Sequence, residues 1–143
     1  MSTVQAVFGT SADEFTLDGA TTYDFEAQYE LSRAAGTTSH TFATLFGGTA
    51  TFTSIDYFAE VMNPTGNVLA NVQGLHVTAA NTSATEYIVV KLRGQMRINT
   101  AGTVIPQFQY SAAPGGAPTI KRNSFFKCRP IGPNSLTTLG PLS

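Results

Sequence analysis

"TYDFEAQYELS", residues 22–32, places Tyr23, Phe25, Ala27, Tyr29 and Leu31 on odd positions and Thr22, Asp24, Glu26, Gln28, Glu30 and Ser32 on even ones. A period of two puts alternate side chains on opposite faces of a strand, so this segment reads as a β-strand with one buried and one polar face. Asp24, Glu26 and Glu30 are three of the chain's nine acidic residues, and they share the polar face. Water, a neighbouring strand or a second copy of the chain could meet that row.

Outward from this strand the same period recurs. In "EYIVVKLRGQMRIN", residues 86–99, Ile88, Val90, Leu92, Met96 and Ile98 face one way, while Val89, Lys91, Arg93, Gln95 and Arg97 face the other. Gly94 falls on the apolar face, where a missing side chain permits a bulge or a close backbone approach. "TFATLF" and "TATFTSIDYFAEVM" flank Gly47-Gly48 and read as a hairpin. The second of these carries large apolar groups on both faces, as expected of a strand covered on both sides for part of its length. "NPTGN", residues 63–67, is a turn, with proline preset for its first central position and glycine supplying positive φ.

Further along, "VLANVQGLHVT" reads as strand interrupted at Gly74, and "NTAG" reads as a turn. Pro106 inside "TVIPQFQYS" argues for an edge strand or a bulge, because proline cannot donate to a ladder. "TIKRNSFFKCRPI" reads as the last strand. Eight or nine strands without a helical period give an all-β fold: an antiparallel β-sandwich, jelly-roll-like. The sandwich is expected over residues 1–132. "GPNSLTTLGPLS" has no period, so residues 133–143 read as an extended C-terminal arm carrying Leu136, Leu139 and Leu142.

A chain of 143 residues suits one domain. Such a chain buries about 70% of its unfolded surface and needs no disulfide or metal to fold. Charged residues make up only 12% of it, so its surface is weakly protected against association. A net charge of −1 argues against a dedicated nucleic-acid binder, and no apolar run is long enough to span a membrane. The N-terminal stretch lacks a charged leader and apolar core, and the single Cys128 excludes an internal disulfide. The lone cysteine fits synthesis in a reducing cytoplasm.

The basic row Lys91, Arg93 and Arg97 complements the acidic row Asp24, Glu26 and Glu30. Opposite charges facing each other across a ladder contribute about 0.2–1 kcal/mol each. The rows are therefore either a solvated, internally paired sheet face or the two halves of a subunit contact. In the second case they would fix register more than affinity.

Little in the chain points to chemistry. His40 and His76 lie on separate strand regions far in sequence from Cys128, and no nucleophile motif surrounds that thiol. No run has zinc-ligand spacing, and Gly47-Gly48 lacks the Lys-Ser/Thr of a phosphate loop. Asp56 and Glu60 share a face and could form an acid/base pair, but carboxylates on a strand face are normally solvated. Asn81-Thr82-Ser83 matches a glycosylation acceptor without a secretion signal. Phe108, Tyr110, Phe125 and Phe126 read as core aromatics; a sugar-stacking platform would need them on one outer face. No catalytic residue, metal ligand or cofactor is assigned.

"FEAQYELSRAAGTTSHTFATLFGGTATFTSIDYF", "AGTVIPQFQYSAAPGGAPTIKRNSFF" and "RPIG" resemble the β-sandwich module of tailed-bacteriophage virion structural proteins, found in capsid cement proteins and at tail-fibre tips. The likeness runs over about residues 7–132 and is carried by Ser39-His40-Thr41, Leu45-Phe46-Gly47-Gly48-Thr49 and Ser111-Ala112-Ala113-Pro114-Gly115-Gly116. The resemblance implies a virion structural protein made in the host cytoplasm, and no catalytic site. Because the module fills nearly the whole chain, the expected role is a cement or decoration protein on the outer capsid surface. It would be a homotrimer binding the major capsid protein, with Asp24, Glu26, Glu30, Lys91, Arg93, Arg97, Leu136, Leu139 and Leu142 as candidate contacts. The alternative is a tail-fibre adhesion module whose partner is a host surface glycan.

Overall fold

A computed structural model describes residues 3–8, 15–72 and 74–135, with Asn71 as backbone alone. Leu136, Leu139, Leu142 and the rest of the expected arm beyond Ser135 lie outside the described residues. Among the described residues there are eleven strands and no helix. In chain order they are β1 (Gln5–Ala6), β2 (Phe15–Leu17), β3 (Thr21–Ala34), β4 (Phe42–Gly47), β5 (Thr51–Asn63), β6 (Gly66–Val72), β7 (His76–Val77), β8 (Thr85–Thr100), β9 (Gly102–Tyr110), β10 (Thr119–Ile120) and β11 (Phe125–Pro133).

They form two antiparallel sheets. The smaller is ordered β1/β2-β9-β4-β7 and the larger β10/β11-β3-β8-β5-β6. The ladders β5·β6, β4·β7, β3·β8 and β2·β9 are nested around the turn between Asn63 and Gly66. From β2 to β9 the chain is thus one long hairpin, folded over so that it passes from one sheet to the other at each step except the β5–β6 turn. That is a jelly roll.

The apolar phase read from residues 22–32 and 86–99 forms the floor of the core. Phe25, Ala27, Tyr29 and Leu31 meet Ile88, Val90, Leu92, Met96 and Ile98 on the inner face of the larger sheet, all buried. Phe42, Val104, Phe108 and Tyr110 close it from the smaller sheet, and Phe25, Phe46, Tyr57 and Phe126 meet edge-to-face or tilted across the gap. Each fully buried side chain of this size stabilises the fold by about 1.5–3 kcal/mol. Gly94 does what its place on the apolar face implied. A Cβ there would stand 2.2 Å from the Asp56 carbonyl oxygen and 2.5 Å from Tyr57 Cα, so its absence lets β5 pass close.

Four local expectations are corrected. Gly47-Gly48 is not a hairpin turn: β4 pairs with β9 and β7 while β5 pairs with β8 and β6, so the chain crosses between sheets there. Gly48 makes the corner at φ +112°.

The apolar groups on both faces of β5 do not mean double cover. The β5–β8 register shifts on both sides of Phe52, which brings Phe52 opposite the inward Ile98 and against the core. Phe58, beyond the shift, faces out and is 49% exposed.

Pro106 lies in an interior strand, not at an edge. β9 is flanked by β4 on one side and by β1 and β2 on the other. The Pro106 carbonyl accepts from Val7 N–H at 2.9 Å, so the missing donor faces the same flank. Among the described residues β1 pairs as far as Gln107 and β2 from Val104, which leaves Pro106 between the two short ladders.

Residues 119–133 are two strands rather than one. Lys121–Ser124 steps out of the ladder, with Lys121 N–H donating to the Glu30 carbonyl at 2.8 Å and Ser124 Oγ accepting from Glu30 N–H at 3.1 Å.

Candidate functional site: the outer face of the larger sheet

The acidic and basic rows meet each other. β3 and β8 are adjacent, Glu26 lies opposite Arg93, Gln28 opposite Lys91, Asp24 opposite Gln95, Thr22 opposite Arg97 and Glu30 opposite Val89. β11 adds a second basic row on the other flank, with Lys127 opposite Glu26 and Arg129 opposite Asp24. Lys127 Nζ stands 4.0 Å from Glu26 Oε2, and Arg129 Nε 3.5 Å from Asp24 Oδ2. On the far side β5 places Glu60 opposite Lys91 and Phe58 opposite Arg93. Reading across four strands, Lys127–Glu26–Arg93–Phe58 is one row and Phe125–Gln28–Lys91–Glu60 the next.

This is a solvent-facing lattice of alternating charge. Exposed pairs of this kind are worth about 0–1 kcal/mol each, so the lattice adds little stability and leaves its groups free to meet a partner. Two shallow grooves cross it. One, of about 480 Å³, lies between Asp24, Glu26, Arg93, Lys127 and Arg129. The other, of about 290 Å³, lies between Glu26, Gln28, Phe58, Glu60, Lys91 and Arg93.

Cys128 lies at the first groove, and burial together with the charge of Asp24 pushes its thiol up to about 11. It is therefore a protonated, weakly nucleophilic thiol at neutral pH. Beyond the second groove the face becomes apolar: Phe58, Met62 and Leu69 are 49%, 47% and 60% exposed. Tyr87 donates to Glu30, and that bond raises its phenol above the usual range.

A second polar cluster is buried at one end of the sandwich. Arg33 ends the inward phase of β3 and Glu86 begins that of β8, and they are ladder partners. Arg33 Nε donates to Glu86 Oε2 at 2.5 Å, His40 Nε2 lies 2.9 Å from the same oxygen, and Asn81 Nδ2 donates to Oε1 at 2.9 Å. The remaining guanidinium donors reach the carbonyls of Ala35, Ser83 and Gly115. The Tyr110 ring stacks edge-on to His40, and burial beside Glu86 pushes its phenol up to about 12.

This cluster ties three loops to the body through the carbonyls of Ala35, Ser83 and Gly115 and the amide of Asn81. It also explains two of the sequence motifs physically. Ser39-His40-Thr41 delivers the imidazole, and the Pro114-Gly115-Gly116 loop lies against residues 34–36 so closely that a Cβ on Gly116 would stand 1.8 Å from the Ala34 carbonyl oxygen.

The other candidates separate. Asn81 is buried with its amide engaged, so the glycosylation pattern is a structural asparagine. Asp56 and Glu60 stand about 13 Å apart along β5 with Phe58 between them, and Glu60 accepts from Asn67 Nδ2 at 3.0 Å. His76 is buried on β7 of the smaller sheet, opposite Thr44, whereas Cys128 is on β11 of the larger sheet. Phe108, Tyr110 and Phe126 are core, whereas Phe125 faces outward beneath Lys127, whose ammonium is 4.8 Å from the ring centre. Among the described residues no group of three or more His, Cys, Asp or Glu side chains could hold a metal ion.

Sequence reading missed Arg33 and Glu86. Their phase could have found them: Arg33 continues the odd, buried series of β3, and Glu86 the even, buried series of β8. Charges in core phase imply a buried pair.

Comparison of the chain with family models, with curated proteins and with solved structures gives no match.

Proposed function

We propose that the chain is a structural protein of a tailed-bacteriophage virion: a cement or decoration protein that binds the outer capsid surface as a homotrimer and stabilises joints between capsomers. The observation that carries this reading is the outer face of the larger sheet, a broad lattice of alternating charge passing into exposed Phe58, Met62 and Leu69. Such a surface suits adhesion rather than turnover. Complementary charge sets register on a partner, and desolvated apolar groups supply affinity. The resemblance over residues 7–132 supplies the class of partner, the major capsid protein. A protein that binds assembled shell and not its free subunits stabilises the shell by mass action, and several linked sites on one trimer raise the effective concentration.

The test is quantitation of the protein in purified particles, together with the charge reversal Arg93→Glu and deletion of residues 133–143. Many copies per particle, lost on either change, support the cement reading. Full occupancy by both variants overturns it.

One observation favours the second reading, host-glycan adhesion. Phe58 presents a ring in a groove lined by Glu26, Gln28, Glu60, Lys91 and Arg93, an aromatic platform among groups able to bond hydroxyls. Only a few copies per particle, with binding to host polysaccharide abolished by Phe58→Ala, would select it.

A further inference from the structure

The two flanks of the larger sheet are finished differently. The β11 flank carries Lys127, Arg129, Pro130 and Pro133, the charges and prolines that block a further strand from pairing. The β6 flank has neither. Its sequence, Gly66-Asn67-Val68-Leu69-Ala70-Asn71-Val72, contains no charge and no proline, and among the described residues it pairs only with β5. In the smaller sheet the edge on this side, β7, is just two residues long.

The phase of the β5–β6 ladder decides which groups face outward. Asn63 and Gly66 close the two-residue turn as a ladder pair, and the closing pair of such a hairpin exchanges both of its hydrogen bonds. Alternation then turns Val68, Ala70 and Val72 toward β5, and leaves the N–H and C=O of Asn67, Leu69 and Asn71 pointing away from the sheet. Those three residues are symmetric in type about Leu69.

We infer that β6 pairs antiparallel with β6 of a second copy of the chain across a two-fold axis centred on Leu69. Leu69 then lies opposite its own mate, and Asn67 opposite Asn71 in both directions. All three are hydrogen-bonded pairs, giving about six N–H···O=C bonds. Self-complementarity is what an isologous contact requires, and this strand has it in backbone phase and in residue type. The apolar ends of two outer faces join into one strip of Phe58, Met62 and Leu69 from each copy. Among the described residues the carboxylate facing this edge is Glu60, opposite Leu69 on β5. Its mate is three strand spacings away, about 14 Å, beyond the screening length of about 8 Å at physiological salt, so like charge does not oppose the pairing.

The contact leaves the charge lattice and the β11 flank uncovered and does not depend on the virion reading. Combined with the three-fold contact of the proposed homotrimer it joins two trimers into six copies, and alone it gives two; a lone trimer in solution is incompatible with it.

The experiment uses the full-length chain with Cys128→Ser as background. Leu69→Cys is expected to form a disulfide-linked dimer under mild oxidation, because opposed Cα atoms in a hydrogen-bonded pair lie about 5.5 Å apart, within disulfide reach. Asn67→Cys alone stays unlinked, and Asn67→Cys with Asn71→Cys links. In sedimentation equilibrium Leu69→Lys halves the mass of the wild-type assembly, while Ile131→Lys, exposed on the opposite flank, leaves it unchanged. Leu69 is exposed, so the lysine variant keeps its far-ultraviolet spectrum. A monomeric or odd-numbered wild-type assembly, absence of the Leu69→Cys dimer, or an unchanged mass for Leu69→Lys overturns the inference. So does cross-linking of Leu69→Cys to a different polypeptide in assembled particles instead of to itself.

Discussion

Arg33 and Glu86 face each other across the β3–β8 ladder with Nε and Oε2 2.5 Å apart and both side chains wholly removed from water. Glu86 also accepts from Asn81, and Arg33 also donates to the Ala35, Ser83 and Gly115 carbonyls, so neither charge is left with an empty valence. Glu86→Gln leaves a buried guanidinium uncompensated and is expected to cost about 3–5 kcal/mol. Arg33→Met with Glu86→Leu recovers only part of that, because three loop carbonyls then lose their donor. Urea unfolding of Glu86→Gln and of the double variant measures this, and equal losses in the two would contradict it.

Gly94→Ala forces a methyl against the Asp56 carbonyl and Tyr57 Cα, which belong to backbone that cannot step aside. Separation of β5 from β8 is expected to cost about 1–3 kcal/mol, against the small gain alanine brings to an unstrained strand. Thermal unfolding checks the sign.

Arg93→Glu tests the lattice as a surface. Arg93 is exposed opposite Glu26, so reversal is expected to cost less than about 1 kcal/mol, and less still at high salt. A large, salt-independent loss would mean that the row is structural.

His76 is buried, no group among the described residues hydrogen-bonds its Nε2, and burial lowers its pKa below the ordinary value. The unfolded chain therefore binds a proton before the folded chain does. Stability is full above the unfolded pKa of about 6.5 and falls as pH drops from there toward the lowered folded value. His76→Gln is expected to flatten that part of the pH–stability curve relative to the wild type. Parallel curves for the two proteins would exclude His76 as its source.

Local alternation was enough to reveal the strands around Phe25 and Val90 and the class of fold, because period two is written in every residue of those segments. The turn at 63–66 was legible for the same reason, proline and glycine each meeting a local backbone need. The path between sheets was not. A glycine pair such as Gly47-Gly48 serves a hairpin and a corner equally well, and what separates them is the partner chosen by β4, some sixty residues downstream. The bulge that turns Phe52 inward has no local signature either, since it is fixed by register against Ile98. The charge lattice lay half in view: composition exposed both rows, but their adjacency is a property of the β3–β8 ladder.

The nested ladders carry a kinetic consequence. Each ladder that closes around Asn63–Gly66 brings the ends of the next one nearer, so the closure entropy of β4·β7, β3·β8 and β2·β9 is lowered step by step. Refolding should then start at the middle of the polypeptide and finish at its two extremities. Gly66, at φ +130°, sits at the starting point, and alanine there is expected to slow refolding while leaving the unfolding rate nearly unchanged.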